Sequence, residues 1–530
     1  MILKFVKKNY LFLIILIAGM FFRVYKPISW MPYGHDQDLA GWIIKDIVFD
    51  KHIRLIGQET TSKGIFIGPL FYYLQIPFFF LTKWQPTGAV FSVTLISAFG
   101  IFSYYYCFKK MFNKKVGLIA SLIYAISYLI VFTDRETVPT MPVMIWSVWF
   151  LFFLWQLYNS IQEHPDKIGD ELNADMSSSF GGKPRSLERG GCHKRKQKSY
   201  LFLGLLLGLV WHFNLASIIL VPLILLAQIF SRTKINFKYI LLTIGIFGIL
   251  MSPFFIFEVR HGYQQTKAIA LSLTAPKDYI PGTGKGFAKL DRVMQLVDKN
   301  ITRLFWGNRS FYPPSWNFYL LSFVFVFLFF KTKVLDRRFG LILLFWQILY
   351  ISFFSLNSLN VSEYYLNGMN VVWILLFSVF ISYLFENKKL KWFGKFLLFL
   401  LIISNLWSFI EYKSNRTNYL ERRALVKEIK NDAKRNNFPC VSVSYITASG
   451  YELGYRYLFW LEGIHVNDPN SMSPVYTIVF PHSKVDRIDK SFGALGLIYP
   501  DYKKYQPKSV EKSCSGANSN ITNPMFGFNN

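Results

Sequence analysis

Long apolar runs recur from one end of this sequence to the other, and clusters of Lys and Arg fall in alternate gaps between them. Hydrocarbon offers no water to a backbone N–H or C=O. A run of ~20 apolar residues that crosses a bilayer therefore does so as a helix. The runs lie at 10–22, 87–108, 116–132, 140–158, 200–212, 214–230, 239–257, 317–330, 339–356, 370–385 and 394–411. They predict an all-α polytopic membrane protein with about eleven transmembrane helices. Lys4, Lys7 and Lys8 precede the first run, and no small-x-small cleavage site follows it, so it reads as an uncleaved first span. The chain carries a net charge of +28, yet only 17% of its 530 residues are charged. The excess sits between the apolar runs and needs no nucleic acid to explain it.

Charge also sets the topology. One set of clusters is Lys109, Lys110, Lys114 and Lys115, followed by Lys194, Arg195, Lys196 and Lys198. Arg232, Lys234 and Lys238 come next, then Lys331, Lys333, Arg337 and Arg338, then Lys388, Lys389, Lys391 and Lys395. All share one side with the N-terminus if 200–212 and 214–230 are two spans, and that side is the cytoplasm. The loop 163–199 is then cytoplasmic; its Gly, Ser and charge predict disorder. The outside receives a first loop at 30–86, a short loop at 133–139, a large loop at 258–316 and the tail. Two domains follow: a transmembrane domain over 1–411 and a small extracytoplasmic α/β domain over 412–530. In the tail, 419–434 has helical spacing, and 441–446, 476–480 and 494–498 read as strands. Cys440 and Cys514 lie there; an extracytoplasmic tail permits a disulfide, and two free thiols are the alternative.

The first outer loop is the richest in candidate chemistry. It opens Pro32-Tyr-Gly-His35-Asp36-Gln37-Asp38, followed by Leu39, Trp42, Ile43 and Ile47 at helical spacing. That pattern fits a helix lying in the membrane interface. A second apolar and aromatic segment, Gly64 to Phe80, contains Gly68-Pro69-Leu70-Phe71-Tyr72-Tyr73. The two segments predict an interfacial platform. Asp134, Arg135 and Glu136 stand in the second outer loop. Carboxylates at a membrane-surface cleft can serve as a general base. His212 reads as a polar turn residue, and Pro281-Gly-Thr-Gly-Lys285 lacks the spacing of a phosphate-binding loop and reads as part of an acceptor-facing lid.

An early Asp in the first outer loop, then Gly-Pro-Leu-Phe-Tyr-Tyr-Leu, then acids in the second outer loop resembles the C-type glycosyltransferases. The protein mannosyltransferases of glycosyltransferase family 39 and the bacterial aminoarabinose-to-lipid A transferases are the members it resembles. Their early Asp-Glu and later Pro-Pro-Leu correspond here to Asp36-Gln37 and Gly68-Pro69-Leu70. Gln37 replaces the second acid, and Ile67 stands where some relatives carry a phosphate-binding lysine, with Lys63 nearby. The motifs cover about the first 160 residues; beyond them only the number and spacing of spans agree.

The resemblance implies an inverting transferase that moves a sugar from a polyprenyl-phosphate donor to a hydroxyl of a protein, lipid or cell-surface glycan. It places the reaction on the outer face of the cell membrane. Asp36 is the first candidate for the general base, with Asp134 and Glu136 next. Lys63, Arg135, Arg260 and His261 are candidates for stabilising the departing phosphate. His35, Gln37, Asp38, Pro69, Tyr72, Tyr73 and Tyr364 are candidates for substrate contact. Asp36, Asp38, Asp134 and Glu136 could gather a divalent cation such as Mg²⁺. The protein mannosyltransferases are taken to work without metal, so none is expected to be required and no metal ligand is assigned. Two rival classes stay open. A lipid-linked glycan ligase or polymerase would use arginines of the large loop, such as Arg260, Arg292, Arg303 and Arg309. A secondary transporter would carry inverted repeats and broken helices, and neither is visible in the sequence.

Overall fold

A computed structural model describes residues 2–60, 62–159, 187–231, 237–274, 287–308, 316–332, 335–357, 361–518 and 520. Each predicted apolar run is helical. Helix α1 spans Ile2–Val24 and is kinked at Asn9. Helices α2 (His35–Val48) and α3 (Leu70–Leu81) follow, then α4 (Gly88–Met111). Helices α5 (Lys114–Ile126) and α6 (Tyr128–Arg135) form a pair bent by 58°. Helix α7 is Val143–Asn159, α8 is Leu187–Phe213 and α9 is Pro222–Ser231. Helices α10 (Phe237–Leu250) and α11 (Ser252–Arg260) are a second pair bent by 58°. Then come α12 (Gln264–Thr274), α13 (Phe287–Trp306), α14 (Trp316–Phe327), α15 (Arg337–Leu356), α16 (Asn370–Glu386) and α17 (Lys391–Glu411).

Four helices among the described residues are long and apolar enough to cross a membrane, or up to 6 with each bent pair taken as one span. Shorter apolar helices of 10–17 residues accompany them. Leu241, Ile244, Ile249, Phe399, Ile403 and Ile410 are exposed on α10 and α17. Such a belt needs lipid to cover it, and the protein is an integral membrane protein. The run over 200–230 breaks at Asn214, whose Oδ1 accepts from Ala216 N at 3.1 Å, giving separate helical segments on either side.

The bend between α5 and α6 has an identifiable cause. Ser127 adopts φ −55°, ψ 127°, which ends the ladder. Tyr128 N then donates to Asn405 Oδ1 of α17 at 2.7 Å instead of to its own helix. The carbonyls of Tyr124 and Ala125 lose their helical donors, and Arg23 of α1 supplies replacements at 3.1 and 2.8 Å. Buried backbone groups freed by a break must be satisfied from elsewhere.

The platform differs from expectation between its two helices. Residues 64–69 are not helical but form one arm of a small hairpin. Gly57 N donates to Ile67 O at 2.7 Å and Thr60 N to Ile65 O at 2.7 Å. Gly64 takes φ +79°, a turn conformation that side-chain-bearing residues resist, and Pro69 then caps α3. Within 258–316 the described residues include α12 and the strongly amphipathic α13. Pro281–Lys285 and the loop 163–199 up to residue 186 lie outside the described residues.

The tail folds as α18 (Tyr419–Arg435), α19 (Arg456–Leu461), α20 (Pro507–Ser513) and a five-stranded sheet. The strands are β1 (Val441–Thr447), β2 (Val466–Asn467), β3 (Val475–Phe480), β4 (Lys490–Phe492) and β5 (Leu495–Ile498), in the order β2-β1-β3-β5-β4. β1 pairs in parallel with β2 and β3, and β5 pairs antiparallel with β3 and β4. Cys440 and Cys514 are joined in a disulfide with Cα atoms 5.5 Å apart. This small core also takes in Met31 and Tyr33 from the chain leading to α2.

Candidate active site at the cavity beside the platform

Helix α2 presents the first candidate. Gln37 accepts from Gly34 N at 3.0 Å and so caps the helix start, and Asp36 stands in the first turn. A carboxylate there is favoured by the helix dipole. Asp36 opens onto a cavity of about 800 Å³ that it shares with His35, Lys63, Glu136, Arg303 and Tyr364. The hairpin supplies Gln58, Glu59 and Lys63; α6 ends at the rim with Glu136; α13 supplies Asn300 and Arg303; and a short turn before α16 supplies Glu363 and Tyr364.

Asp36 is oriented from behind. Gln58 Nε2 donates to its Oδ1 at 3.5 Å. Gln58 is held in turn by Tyr72, whose hydroxyl donates to Gln58 Oε1 at 3.1 Å and accepts from Gln58 N at 3.2 Å. Desolvation raises the Asp36 carboxyl above the ordinary carboxylate range, against the lowering influence of His35 and the Gln58 bond. Glu136 is pushed up to about 7 by desolvation and by the charges of Asp36 and Glu363, with Arg303 opposing. Both carboxylates therefore titrate closer to neutrality than free acids do, as a proton acceptor requires.

The cations of the site differ in how they are held. Arg303 Nη1 is 3.0 Å from Glu363 Oε1 and lies over the Tyr128 ring at 5.8 Å. Glu363 also pairs with Lys299 at 2.7 Å, and Asn300 Nδ2 donates to its backbone carbonyl at 2.9 Å. Lys63 is exposed in the hairpin turn and has no ion-pair partner among the described residues. Among the described residues no three His, Cys, Asp or Glu side chains converge to hold a metal.

Several sequence candidates lie elsewhere. Asp134 is buried in an ion pair with Arg23, which gives it Nε and Nη2 bonds of 2.9 and 2.7 Å. Arg135 faces the end of α1, donating to Phe22 O at 2.9 Å, Tyr25 O at 3.0 Å and Lys26 O at 3.2 Å. Its charge is used on carbonyls at a helix C-terminus. Gln37 serves as the cap described above. Asp38 turns away from the cavity and accepts from Tyr33 OH at 3.0 Å and Tyr457 N at 3.1 Å. Pro69 caps α3, Tyr72 acts one step behind Asp36, and Tyr73 OH donates to Arg54 O at 3.1 Å. Arg260 and His261 are exposed at the end of α11, with the His261 ring 4.1 Å from that of Phe257. His212 is structural: Nδ1 accepts from Leu70 N at 3.3 Å and Nε2 contacts Leu250 O at 3.0 Å, tying the platform to α8 and α10.

The sequence reading missed Gln58, Glu59 and Asn300 as cavity residues, and placed Arg303 only in the rival ligase reading. Nothing local marks Gln58 or Glu59. The amphipathic pattern of α13 was legible, but not which neighbour its polar face meets.

The chain shares the C-type glycosyltransferase fold of solved structures. The chain is similar in structure to ArnT from Cupriavidus metallidurans in the apo state, with a TM-score of 0.59 and 11% identity over 95% of this chain and 99% of that one. Against the same protein bound to undecaprenyl phosphate the TM-score is 0.55, again at 11% identity, with the same coverage of 95% and 99%. No protein-family model and no curated protein matches the sequence.

Proposed function

We propose that this protein is an inverting membrane glycosyltransferase that takes a sugar from a polyprenyl-phosphate donor and gives it to a hydroxyl acceptor. The observation that carries the reading is one cavity holding Asp36, Glu136, Lys63 and Arg303 beside an apolar groove. The groove has a volume of about 740 Å³ and is lined by Phe71, Leu74, Trp146, Phe153 and Phe213, among others. Its Phe213 adjoins the cavity residue Asn214 in sequence and its Pro142 stands two residues from the cavity residue Thr140, so a phosphate in the cavity and a prenyl chain in the groove fit one molecule. A relative in fold, ArnT, has been seen with undecaprenyl phosphate bound.

In this mechanism Asp36 accepts the proton of the acceptor hydroxyl as its oxygen attacks C1 of the sugar. The bond from C1 to the phosphate oxygen breaks, its electron pair leaves with the phosphate, and the configuration at C1 inverts. Lys63 and Arg303 stabilise the charge that gathers on the phosphate. Gln58, held by Tyr72, keeps Asp36 aimed. Burial keeps Asp36 basic. The N-terminus lies in the cytoplasm and the tail outside the cell membrane, in keeping with the basic loops and the Cys440–Cys514 disulfide.

The test is turnover of radiolabelled undecaprenyl-phosphate sugars by purified wild type and Asp36→Asn, with membrane extract as acceptor source. The reading expects one donor to be consumed and Asp36→Asn to be slower by ~10²-fold or more with donor binding retained. Equal rates would remove Asp36 as the base. Consumption of a diphosphate-linked oligosaccharide instead would favour the ligase class.

A further inference from the structure

The helix that presents Asp36 to the cavity is gripped from its other side by the tail. Residues i and i+2 of a helix point about 200° apart. Asp36 faces the cavity, so Asp38 faces away from it. Asp38 is 1% exposed. Tyr457 N, in the first turn of α19, donates to both Asp38 oxygens at 3.1 and 3.2 Å, and Tyr33 OH adds a bond of 3.0 Å. Among the described residues no cation lies within ion-pair distance of it. Removing a carboxylate from water is costly, and here the backbone and hydroxyl donors offset that cost together with the nearby charges of Arg422 and Arg456.

The surrounding contacts form a close seat. A Cβ on Gly41, one turn along α2, would lie 2.7 Å from the Tyr457 ring, so the ring packs directly on the helix backbone. Gly454, at φ +93°, places its own Cβ direction 3.0 Å from the backbone of Gly34, the residue that starts α2. Tyr457 OH donates to Trp84 O at 2.7 Å, and Arg456 lies over the Trp42 ring at 4.0 Å. Any rotation of α2 that moves Asp36 must also break the bonds at Asp38.

We infer that Asp38 is a positioning residue for Asp36, and that the tail module sets the geometry of the cavity by holding α2 through it. The inference rests on the reading of Asp36 as the base. It makes the tail part of the catalytic apparatus without placing any tail residue on the substrate.

The experiment compares full-length wild type, Asp38→Ala, Asp38→Asn and Asp36→Asn, each purified in detergent. Turnover is measured per folded molecule on the undecaprenyl-phosphate sugar that wild type consumes, and amide hydrogen exchange is followed over 35–48 and over β1. Asp38→Ala should lose at least ~10-fold in kcat with the donor KM within ~2-fold, since donor contacts are untouched. Exchange should rise over 35–48 while β1 stays protected. Asp38→Asn keeps both acceptor contacts in part and should recover most of kcat. If Asp38→Ala does not fold, Tyr33→Phe removes one bond without opening a hole, and a kcat loss of ~2–3-fold at constant KM is expected there. Unchanged kcat in the folded Asp38 variant, or in Tyr33→Phe in its place, overturns the positioning role. A KM change without a kcat change does the same. Full activity of Asp36→Asn overturns the assignment of the base, independently of the Asp38 result.

Discussion

Asp134 is the acid whose role is best separated by experiment, because the sequence offers it for catalysis and the structure buries it. It is 3% exposed and Arg23 is 2% exposed. Arg23 spends two donors on Asp134 and the rest on Gly19 O, Ala125 O and Tyr124 O, two of which the bend at Ser127 has orphaned. Asp134→Asn leaves the Arg23 charge buried without its counter-ion, a change that costs about 3–5 kcal/mol. Arg23→Met should cost a similar amount, since it strands Asp134 and two carbonyls. The double variant Arg23→Met/Asp134→Leu leaves no buried charge and only the two carbonyls, at about 1–3 kcal/mol each. Its total should therefore fall several kcal/mol short of the sum of the singles. For a chain of this length each kcal/mol moves the unfolding midpoint by about 1 °C, scaling the usual dependence on size. Asp134→Asn should lower the midpoint by about 3–5 °C on that basis. The assay is thermal unfolding in detergent alongside turnover per folded molecule. A midpoint within ~1 °C of wild type together with a ~10²-fold loss of turnover would refute the structural assignment and return Asp134 to the chemistry.

Four further outcomes follow from the geometry. The proton-loaded form of Asp36 cannot act as a base, so kcat should fall as pH drops through its raised pKa; His35→Gln removes the neighbouring positive charge that lowers it and should move that acid limb to higher pH, read from kcat against pH. Gln58→Leu takes away the donor that aims Asp36 and should lower kcat by about 10-fold with little change in midpoint, read by steady-state kinetics. Gly68→Ala drives a Cβ to 2.1 Å from His212 Nδ1 and should cost about 1–3 kcal/mol, read by thermal unfolding, with a smaller effect if His212 is trimmed at the same time. Replacing Cys440 and Cys514 by Ser opens a link between residues 74 apart and should destabilise the tail by about 4 kcal/mol, read as faster amide exchange over β1 than over α16.

The sequence alone determined the membrane class, the helical runs, the two helices of the platform and the three longer tail strands, because each rests on local information. An apolar stretch must be helical in lipid whatever it packs against, and period-2 or period-3.6 patterns declare themselves within a few residues. Strands β2 and β4 escaped because two or three residues carry no period. Asp36 was legible for the same reason, as an acid beside a helix start in a recognisable order of motifs. Which acids share a cavity was not. Asp36 and Asp38 are two residues apart and chemically alike, yet one opens to the cavity and the other holds the tail. Asp134 and Glu136 divide in the same way between Arg23 and the cavity. Those assignments depend on partners 23 to 457 in the chain, brought close only when the spans pack. Tertiary structure decided them because burial and counter-charge, rather than residue type, set whether a carboxylate can move a proton.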